Sequence, residues 1–260
     1  MGEAGRRWLL LRGLARETAH WGDFPLRLRS AFPASTVTCV DLPGTGSHFR
    51  EACPTSIGSI LELTRERAYR AGALERPVTL LALSLGGMVA WEWACRYPAD
   101  IAAGCLINTS FAGVSPFYRR LRWQSYGALA NILLEREIGR RERRILELVS
   151  NQTRNIEELS KVWLDIQSER PVNPSNAAKQ LIAAARFRPK TPPDGKPWLV
   201  LSGLGDRLVA PACSSAVSQR WQLSNDSHPW AGHDLPLDDP DWLVNRLRTW
   251  IANQGTEAID

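Results

Sequence analysis

A serine, an aspartate and a histidine stand at positions from which they could act together on a carbonyl group. Ser84 directly follows an apolar run at 78–83, Asp206 lies in a glycine-containing loop, and His233 follows Gly232 in a loop near the end of the chain. A serine hydroxyl becomes an effective nucleophile when an imidazole accepts its proton, and a carboxylate fixes the tautomer of that imidazole. The pattern predicts nucleophilic catalysis with Ser84 as nucleophile, His233 as base and Asp206 as the orienting acid.

The sequence around Ser84 predicts a sharp turn between a strand and a helix. Such a turn crowds the residues two places before and after the serine, and Ala82 and Gly86 are both small. The amino end of the following helix supplies unpaired N–H groups to a developing oxyanion, with the Leu85 amide as the first donor. The alternative interpretation is an ordinary helix-capping serine in a glycine-rich turn.

Short apolar runs alternate with helical patterns along most of the chain. Strands are predicted at 8–11, 36–40, 78–83, 101–107 and 198–202, with a weaker one near 227–230. Helices are predicted at 24–31, 57–71, 86–97, 212–221 and 242–252. Continuously apolar strands followed by helices predict an α/β fold with a mostly parallel sheet of about six strands and helices on both faces.

One long stretch, 112–188, interrupts this alternation because it contains no convincing strand. Its patterns predict helices at 118–134, 140–152, 156–169 and 175–187. The proline-rich run at 189–195 then returns the chain to the sheet. We therefore expect a core domain formed by 1–111 and 189–260, with 112–188 inserted as a helical lid.

Four segments of the chain resemble motifs of the α/β-hydrolase family, in that family's order. They are residues 11–14 after the first strand, 41–47 after the second, 82–86 around Ser84, and 203–211 around Asp206. The first segment corresponds to the family's oxyanion loop, which implies that the Leu14 amide is a second oxyanion donor beside that of Leu85. Arg12 stands where the family has a histidine, and Ala82 where it usually has a glycine.

Chain order selects the base and the acid within this resemblance. The family places the nucleophile first, the acid second and the histidine last, which leaves only His228 and His233 as bases. His228 falls in the predicted last strand, whereas His233 lies in a loop; the alternative for His233 is a surface loop histidine. Asp206 is the only carboxylate in its loop, and its alternative role is an ordinary turn aspartate.

The resemblance implies a serine esterase that forms an acyl-enzyme. Acyl thioesters are an alternative substrate, and relatives that cleave carbon–carbon bonds use the same three residues. A non-catalytic binding protein on this fold is the alternative from another class. The resemblance implies no cofactor.

Composition excludes several other classes. The chain is 44% hydrophobic and 23% charged, as in ordinary globular proteins, and its apolar runs are too short to span a membrane. No metal-ligand spacing, targeting segment or nucleic-acid partner is predicted. The five cysteines are scattered, which favours free thiols and a cytoplasmic location.

Positive charge is concentrated in the predicted lid. Between residues 117 and 190 there are 15 lysines and arginines but 8 aspartates and glutamates, whereas the whole chain carries +5. The cluster of Arg140, Arg141, Arg143 and Arg144 could dock an acidic acyl carrier protein, as in the resembling biotin-pathway esterase type that cleaves a pimeloyl-carrier-protein methyl ester. The alternative is a solvated helix face. Apolar lid residues are expected to line an acyl channel or to form core, namely Trp123, Leu129, Leu133 and Trp163.

Overall fold

The computed structural model describes residues 5–152, 154–191 and 195–256. At its centre is a sheet whose six strands all run parallel in the order β2-β1-β3-β4-β5-β6. The strands are β1 (Arg7–Leu11), β2 (Thr36–Val40), β3 (Val78–Leu83), β4 (Ile101–Ile107), β5 (Trp198–Gly203) and β6 (Ser224–His228). The predicted parallel sheet of about six strands is confirmed.

Helices cover both faces of this sheet, because its central strands are mostly apolar and must be buried on both sides; β3 is buried at every position. In chain order the helices are α1 (Phe24–Ala31), α2 (Ile57–Arg70), α3 (Leu85–Arg96), α4 (Phe117–Arg120), α5 (Tyr126–Leu134), α6 (Ile138–Val149), α7 (Ile156–Glu169), α8 (Pro174–Arg186), α9 (Ala212–Trp221), α10 (Leu235–Asp238) and α11 (Pro240–Thr256). One apolar cluster joins α2, α3 and α9 to the sheet. Another joins α1 and α11 to it. The chain therefore folds as helices on two sides of one sheet.

The helical insertion, residues 112–188, contains α4 to α8 between β4 and β5. The prediction of one helix over 118–134 is wrong, because the backbone leaves the helical conformation at Leu121 and Arg122. The Arg122 N–H donates to the Leu208 carbonyl, and its guanidinium donates to the Asp206 carbonyl. These bonds to the loop after β5 replace those of a continuous helix. That the insertion acts as a lid remains a prediction.

The last strand lies three residues earlier than its sequence pattern indicates. It runs over Ser224–His228 rather than near 227–230, and its five residues pair with Leu199 to Gly203 of β5. The strand is mostly polar and stands at the sheet edge, so no apolar run marks it. Pairing with β5 fixes its position instead.

Several sequence predictions concern the chain as a whole. Within the described ranges, no helix is both long enough and apolar enough to cross a membrane. The five cysteines are free thiols, and Cys53, Cys105 and Cys213 are buried. Part of the predicted proline-rich return, residues 192–194, lies outside the described residues. The cytoplasmic location stays a prediction.

Candidate active site

Ser84 occupies a strained turn between β3 and α3. Its φ of 56° and ψ of −115° lie outside the regions that L-residues ordinarily adopt, and its side chain makes no capping hydrogen bond. A Cβ at position 86 would lie 2.6 Å from the Leu11 carbonyl oxygen, so only glycine lets the loop after β1 pass this closely. The turn therefore differs from that of an ordinary capping serine, and the projection of the Ser84 hydroxyl above the sheet edge remains a prediction.

Asp206 and His233 form a buried hydrogen-bonded pair. The His233 Nδ1 atom lies 2.7 Å from Asp206 Oδ2, while Asp206 Oδ1 accepts the Leu208 and Val209 N–H groups at 2.7 and 2.9 Å. An ionised carboxylate can only accept, so Nδ1 carries the proton and Nε2 is left as the basic nitrogen. The structure thus brings together two residues that the sequence predicts to act as a pair.

Asn108, which directly follows β4, connects the serine turn to the histidine. The Ser84 N–H donates to the Ile107 carbonyl at 2.8 Å. The Asn108 side chain donates to the carbonyls of Gly232 and His233 at 3.1 and 2.8 Å, and its oxygen accepts the Gly203 N–H at 2.9 Å. Within the described structure, no hydrogen bond joins Ser84 to His233 directly.

The sequence analysis assigns no role to Asn108. Its signal was the polar residue directly after a buried strand, since the carboxyl ends of parallel strands meet at one edge. Its φ of 48° also favours asparagine over most residues. Asn108 is therefore a missed member of the site.

The histidine loop, residues 229–234, is held by one distant side chain, Asn151, and by two near it in sequence, His228 and Asp238. Asn151 of the insertion donates to the carbonyls of Trp230 and Gly205 at 2.7 and 3.0 Å, and Asp238 accepts the Gly232 N–H at 2.6 Å. The His228 ring accepts the Ala231 N–H at 2.9 Å. Nothing in the local sequence marks Asn151, because its partners are contributed by the folded core.

The first loop, residues 12–17, follows β1 and carries the predicted oxyanion donor Leu14. A Cβ at position 13 would lie 3.2 Å from Ser84 Cβ, so the loop backbone packs directly against the serine. Within the described residues, no acceptor receives the N–H of Leu14 or of Leu85. Gln180 of α8 accepts the Ala15 N–H at 2.8 Å and thereby ties this loop to the insertion.

The turn at 41–47 has a structural part. The Asp41 carboxylate accepts hydrogen bonds from Thr18 at 2.7 Å and from Ser47 at 2.9 and 3.1 Å. A Cβ at Gly46, where φ is 53°, would lie 2.0 Å from Asp41 Oδ2. Glycine is therefore required for this turn, which fixes the start of the 3-10 helix that follows the first loop, Thr18–Trp21.

A buried ionic cluster joins the first loop to the insertion. Arg16 Nη1 lies 2.6 Å from Glu142 Oε2 and 3.0 Å from His20 Nε2, and its guanidinium stacks over the Trp163 ring. The pKa of His20 is lowered well below its usual value by burial and by the nearby charges of Arg16 and Arg12. This imidazole is therefore kept neutral.

The four predicted docking arginines lie on α6 and face carboxylates of the insertion itself. Their ion pairs are Arg143 with Glu147 and Glu157 at 3.0 and 2.7 Å, Arg144 with Glu135 at 3.2 Å, Arg140 with Glu137 at 3.6 Å, and Arg141 with Glu142 at 3.9 Å. Much of the charge that the sequence concentrates here is therefore neutralised locally.

The apolar residues predicted to be channel or core divide into two groups. Trp163 is buried with Leu146 and Ile166 in a small cluster of the insertion. Leu129 is half-buried, whereas Trp123 and Leu133 are 63% and 84% exposed, so the expectation of core is wrong for these two. That any of these residues lines an acyl channel remains a prediction.

Three features define the architecture of a hydrolase of the α/β type. They are the parallel sheet, the positive φ of Ser84 directly after β3, and the Asp206–His233 pair at the same edge of the sheet. The sequence profile described as "Alpha/beta hydrolase family" matches residues 8–246. The chain therefore belongs to the alpha/beta hydrolase family. A search of curated proteins found no match.

Solved structures similar to this one include esterases. An esterase from Thermogutta terrifontis is 22% identical with a TM-score of 0.70, over 96% of this chain and 90% of that chain. The esterase RhEst1 from Rhodococcus sp. ECU1013 is 20% identical with a TM-score of 0.71, over 96% and 92%. A hydrolase from Pseudomonas aeruginosa PA01 is 17% identical with a TM-score of 0.73, over 96% and 91%. At these identities the likeness shows the fold.

Proposed function

We propose that this protein is a serine esterase in which Ser84 is the nucleophile, His233 the base and Asp206 the acid that orients it. The observation that carries the proposal is the Asp206–His233 hydrogen bond of 2.7 Å at the sheet edge where Ser84 stands in a strained turn. A neutral imidazole with its Nδ1 proton held by a carboxylate is the form that can accept a serine proton.

The reaction follows from these groups. His233 Nε2 takes the Ser84 hydroxyl proton while Oγ attacks the ester carbonyl. The tetrahedral oxyanion that forms accepts hydrogen bonds from the N–H groups of Leu85 and Leu14. The amino end of α3 adds its positive dipole to this site. The imidazolium then protonates the leaving alcohol. Water, deprotonated by the same imidazole, cleaves the acyl-enzyme and restores Ser84.

The chemistry is tested with a fluorophosphonate probe, which reacts with activated serines. The wild type should be labelled, and Ser84→Ala should not be, because the nucleophile is gone. Ser110→Ala is the matched control, since Ser110 also follows a central strand at this edge but is buried outside the proposed machinery. Equal labelling of Ser84→Ala and wild type would reject the serine assignment, and an unlabelled wild type would favour a binding protein.

The bond cleaved is tested with a panel of p-nitrophenyl esters and acyl thioesters of increasing chain length. An esterase should turn over the oxygen esters with a dependence on Ser84. A preference for thioesters would make the protein a thioesterase that uses the same three residues. Cleavage of a carbon–carbon bond, with no turnover of oxygen esters or thioesters, would make it a carbon–carbon bond hydrolase.

We also propose, as a narrower substrate for this site, an ester carried by an acidic acyl carrier protein that docks at Arg140, Arg141, Arg143 and Arg144. This docking is supported by the exposure that the four arginines keep despite their ion pairs. Arg140 is the most exposed, at 74% of its side chain. A partner would have to compete with glutamates of the insertion, so its attraction should be modest and sensitive to salt.

The carrier hypothesis is tested by reversing the charge at these four arginines. Hydrolysis of a carrier-bound ester should fall with the reversal and with rising salt, whereas hydrolysis of a small neutral ester should barely change. Equal loss on both substrates, or on neither, would reject the carrier and leave a small-molecule esterase.

A further inference from the structure

Arg12 and Asp234 form a buried bidentate ion pair across the top of the sheet. Arg12 Nη1 donates to Asp234 Oδ1 at 3.1 Å, and Arg12 Nη2 donates to Asp234 Oδ2. Both side chains are 3% exposed, although they lie 222 residues apart in the chain. Parallel hydrogen bonds between a guanidinium and a carboxylate fix the orientation of both groups as well as their distance.

The surroundings of Arg12 leave it few other arrangements. Its guanidinium lies over the buried ring of Trp21, with Cζ 4.7 Å from the ring centroid. Removing water from both charges is costly, and only a well-aligned partner offsets that cost. A shift of either loop that broke the pair would leave a buried charge unpaired, so the pair strongly restricts the relative position of the two loops.

Each member of the pair adjoins a residue of the proposed machinery. Arg12 is in the first loop, two residues before the Leu14 amide, and Asp234 directly follows His233. β1 and β6 are separated in the sheet by β3, β4 and β5, so the pair spans the carboxyl end of the strand that leads to Ser84. The pair thus links the loop that carries the Leu14 amide directly to the loop that carries His233.

We propose that Arg12 and Asp234 are positioning residues that set the Leu14 amide and the His233 ring relative to Ser84. This inference rests on the proposed function of the same site. Because the oxyanion and the base must both be in place in the transition state, loosening the link lowers kcat and leaves substrate binding almost unchanged. Neither side chain takes part in proton transfer.

The test is the neutral double variant Arg12→Met with Asp234→Asn, which removes both charges together and so leaves none buried alone. With a p-nitrophenyl ester, kcat should fall by roughly 10²-fold while KM changes by less than about twofold. Labelling by a fluorophosphonate should slow by a similar factor. The thermal midpoint should remain close to that of the matched control.

The control is the double variant Arg65→Met with Asp100→Asn. Arg65 also makes a bidentate pair, with Asp100, but this pair lies beside the start of β4, at the opposite end of the sheet. Its kcat should equal that of the wild type. Equal kcat losses in the two double variants would mean that any loosened ion pair has this effect, and would overturn the inference.

Other outcomes are equally decisive. A folded Arg12→Met/Asp234→Asn variant with wild-type kcat, or one that changes KM alone, overturns the positioning role while leaving the esterase intact. If the double variant does not fold, Arg12→Lys replaces it, because lysine keeps the charge but cannot form both hydrogen bonds. The kcat of Arg12→Lys should be lower than that of the wild type, and a kcat equal to the wild type's would overturn the inference. A wild type that is neither labelled nor active rejects the proposed function itself.

Discussion

The loops at the carboxyl edge of the sheet and the first part of the insertion reverse the usual distribution of residue types. The edge loops bury polar and charged side chains that each make hydrogen bonds, namely Arg12, Asn108, Asp206, Asp234 and Asp238. The segment 117–134 exposes large apolar ones, namely Phe117, Trp123, Leu133 and Leu134. Residue type alone therefore does not determine burial here.

The difference has a physical cause. A buried polar group is costly unless it is hydrogen-bonded, so the edge loops are stable only in an arrangement that satisfies their side chains together. An apolar side chain left in water contributes none of the stabilisation that burial would give. The edge loops should therefore tolerate few substitutions, whereas the exposed part of 117–134 should tolerate many.

The largest effect should come from Asp206→Asn. Replacing the carboxylate removes the group that holds the Nδ1 proton of His233, and kcat should fall by roughly 10³- to 10⁴-fold with the fold retained. Asp239→Asn is the matched control, because Asp239 lies 3.1 Å from the other histidine of this region, His228. Steady-state ester hydrolysis should show near wild-type kcat for Asp239→Asn, and the same result for Asp206→Asn would move the acid elsewhere.

A smaller effect is expected for Asn108→Ala, which deletes three hydrogen bonds within the edge loops. The free energy of unfolding should fall by about 2–3 kcal/mol, because buried backbone partners lose their bonds. Asn155→Ala is the control, since Asn155 is exposed and also has a left-handed backbone, with φ of 60° against 48°. Urea unfolding that gives equal losses for both variants would attribute the effect to backbone strain alone.

His20 should make stability depend on pH. Its pKa is lowered in the folded protein, so the unfolded chain binds the proton more tightly and acid favours unfolding. This contribution is complete above the ordinary histidine pKa and is lost as the pH falls below it. Between pH 7 and 5 the wild type should lose more free energy of unfolding than His20→Gln does. Parallel pH profiles in urea unfolding would contradict this.

The smallest effect should be that of Leu133→Ala in the exposed segment. Its free energy of unfolding should change by less than about 0.5 kcal/mol, because the side chain is already in water. Leu146→Ala, also in the insertion but buried against Trp163, should cost about 2–5 kcal/mol. A large loss for Leu133→Ala would show that this surface is covered in solution.

Most of the sheet could be predicted from sequence because the signals are local. Strands β2, β3 and β4 begin and end at the predicted residues, because apolar and β-branched residues mark each of them in the local sequence. The edge strand β6 was misplaced, since its polar residues carry no such signal and pairing with β5 decides its limits. The Ser84 turn is predicted for the same local reason, since small residues flank a serine at a strand end. The Asp206 and His233 loops are predicted from chain order within the family resemblance.

The sequence by itself determined the order of the strands, the sharp turn at Ser84, and the loops that carry Asp206 and His233. Only the tertiary structure decided that Arg122 breaks a helix to reach Asp206, that glutamates neutralise the arginines of α6, and that Arg12 finds Asp234. The physical reason is range. Backbone preference and apolar periodicity act over a few neighbouring residues, whereas the partner of a buried charge is set by which distant segments the folded sheet brings together.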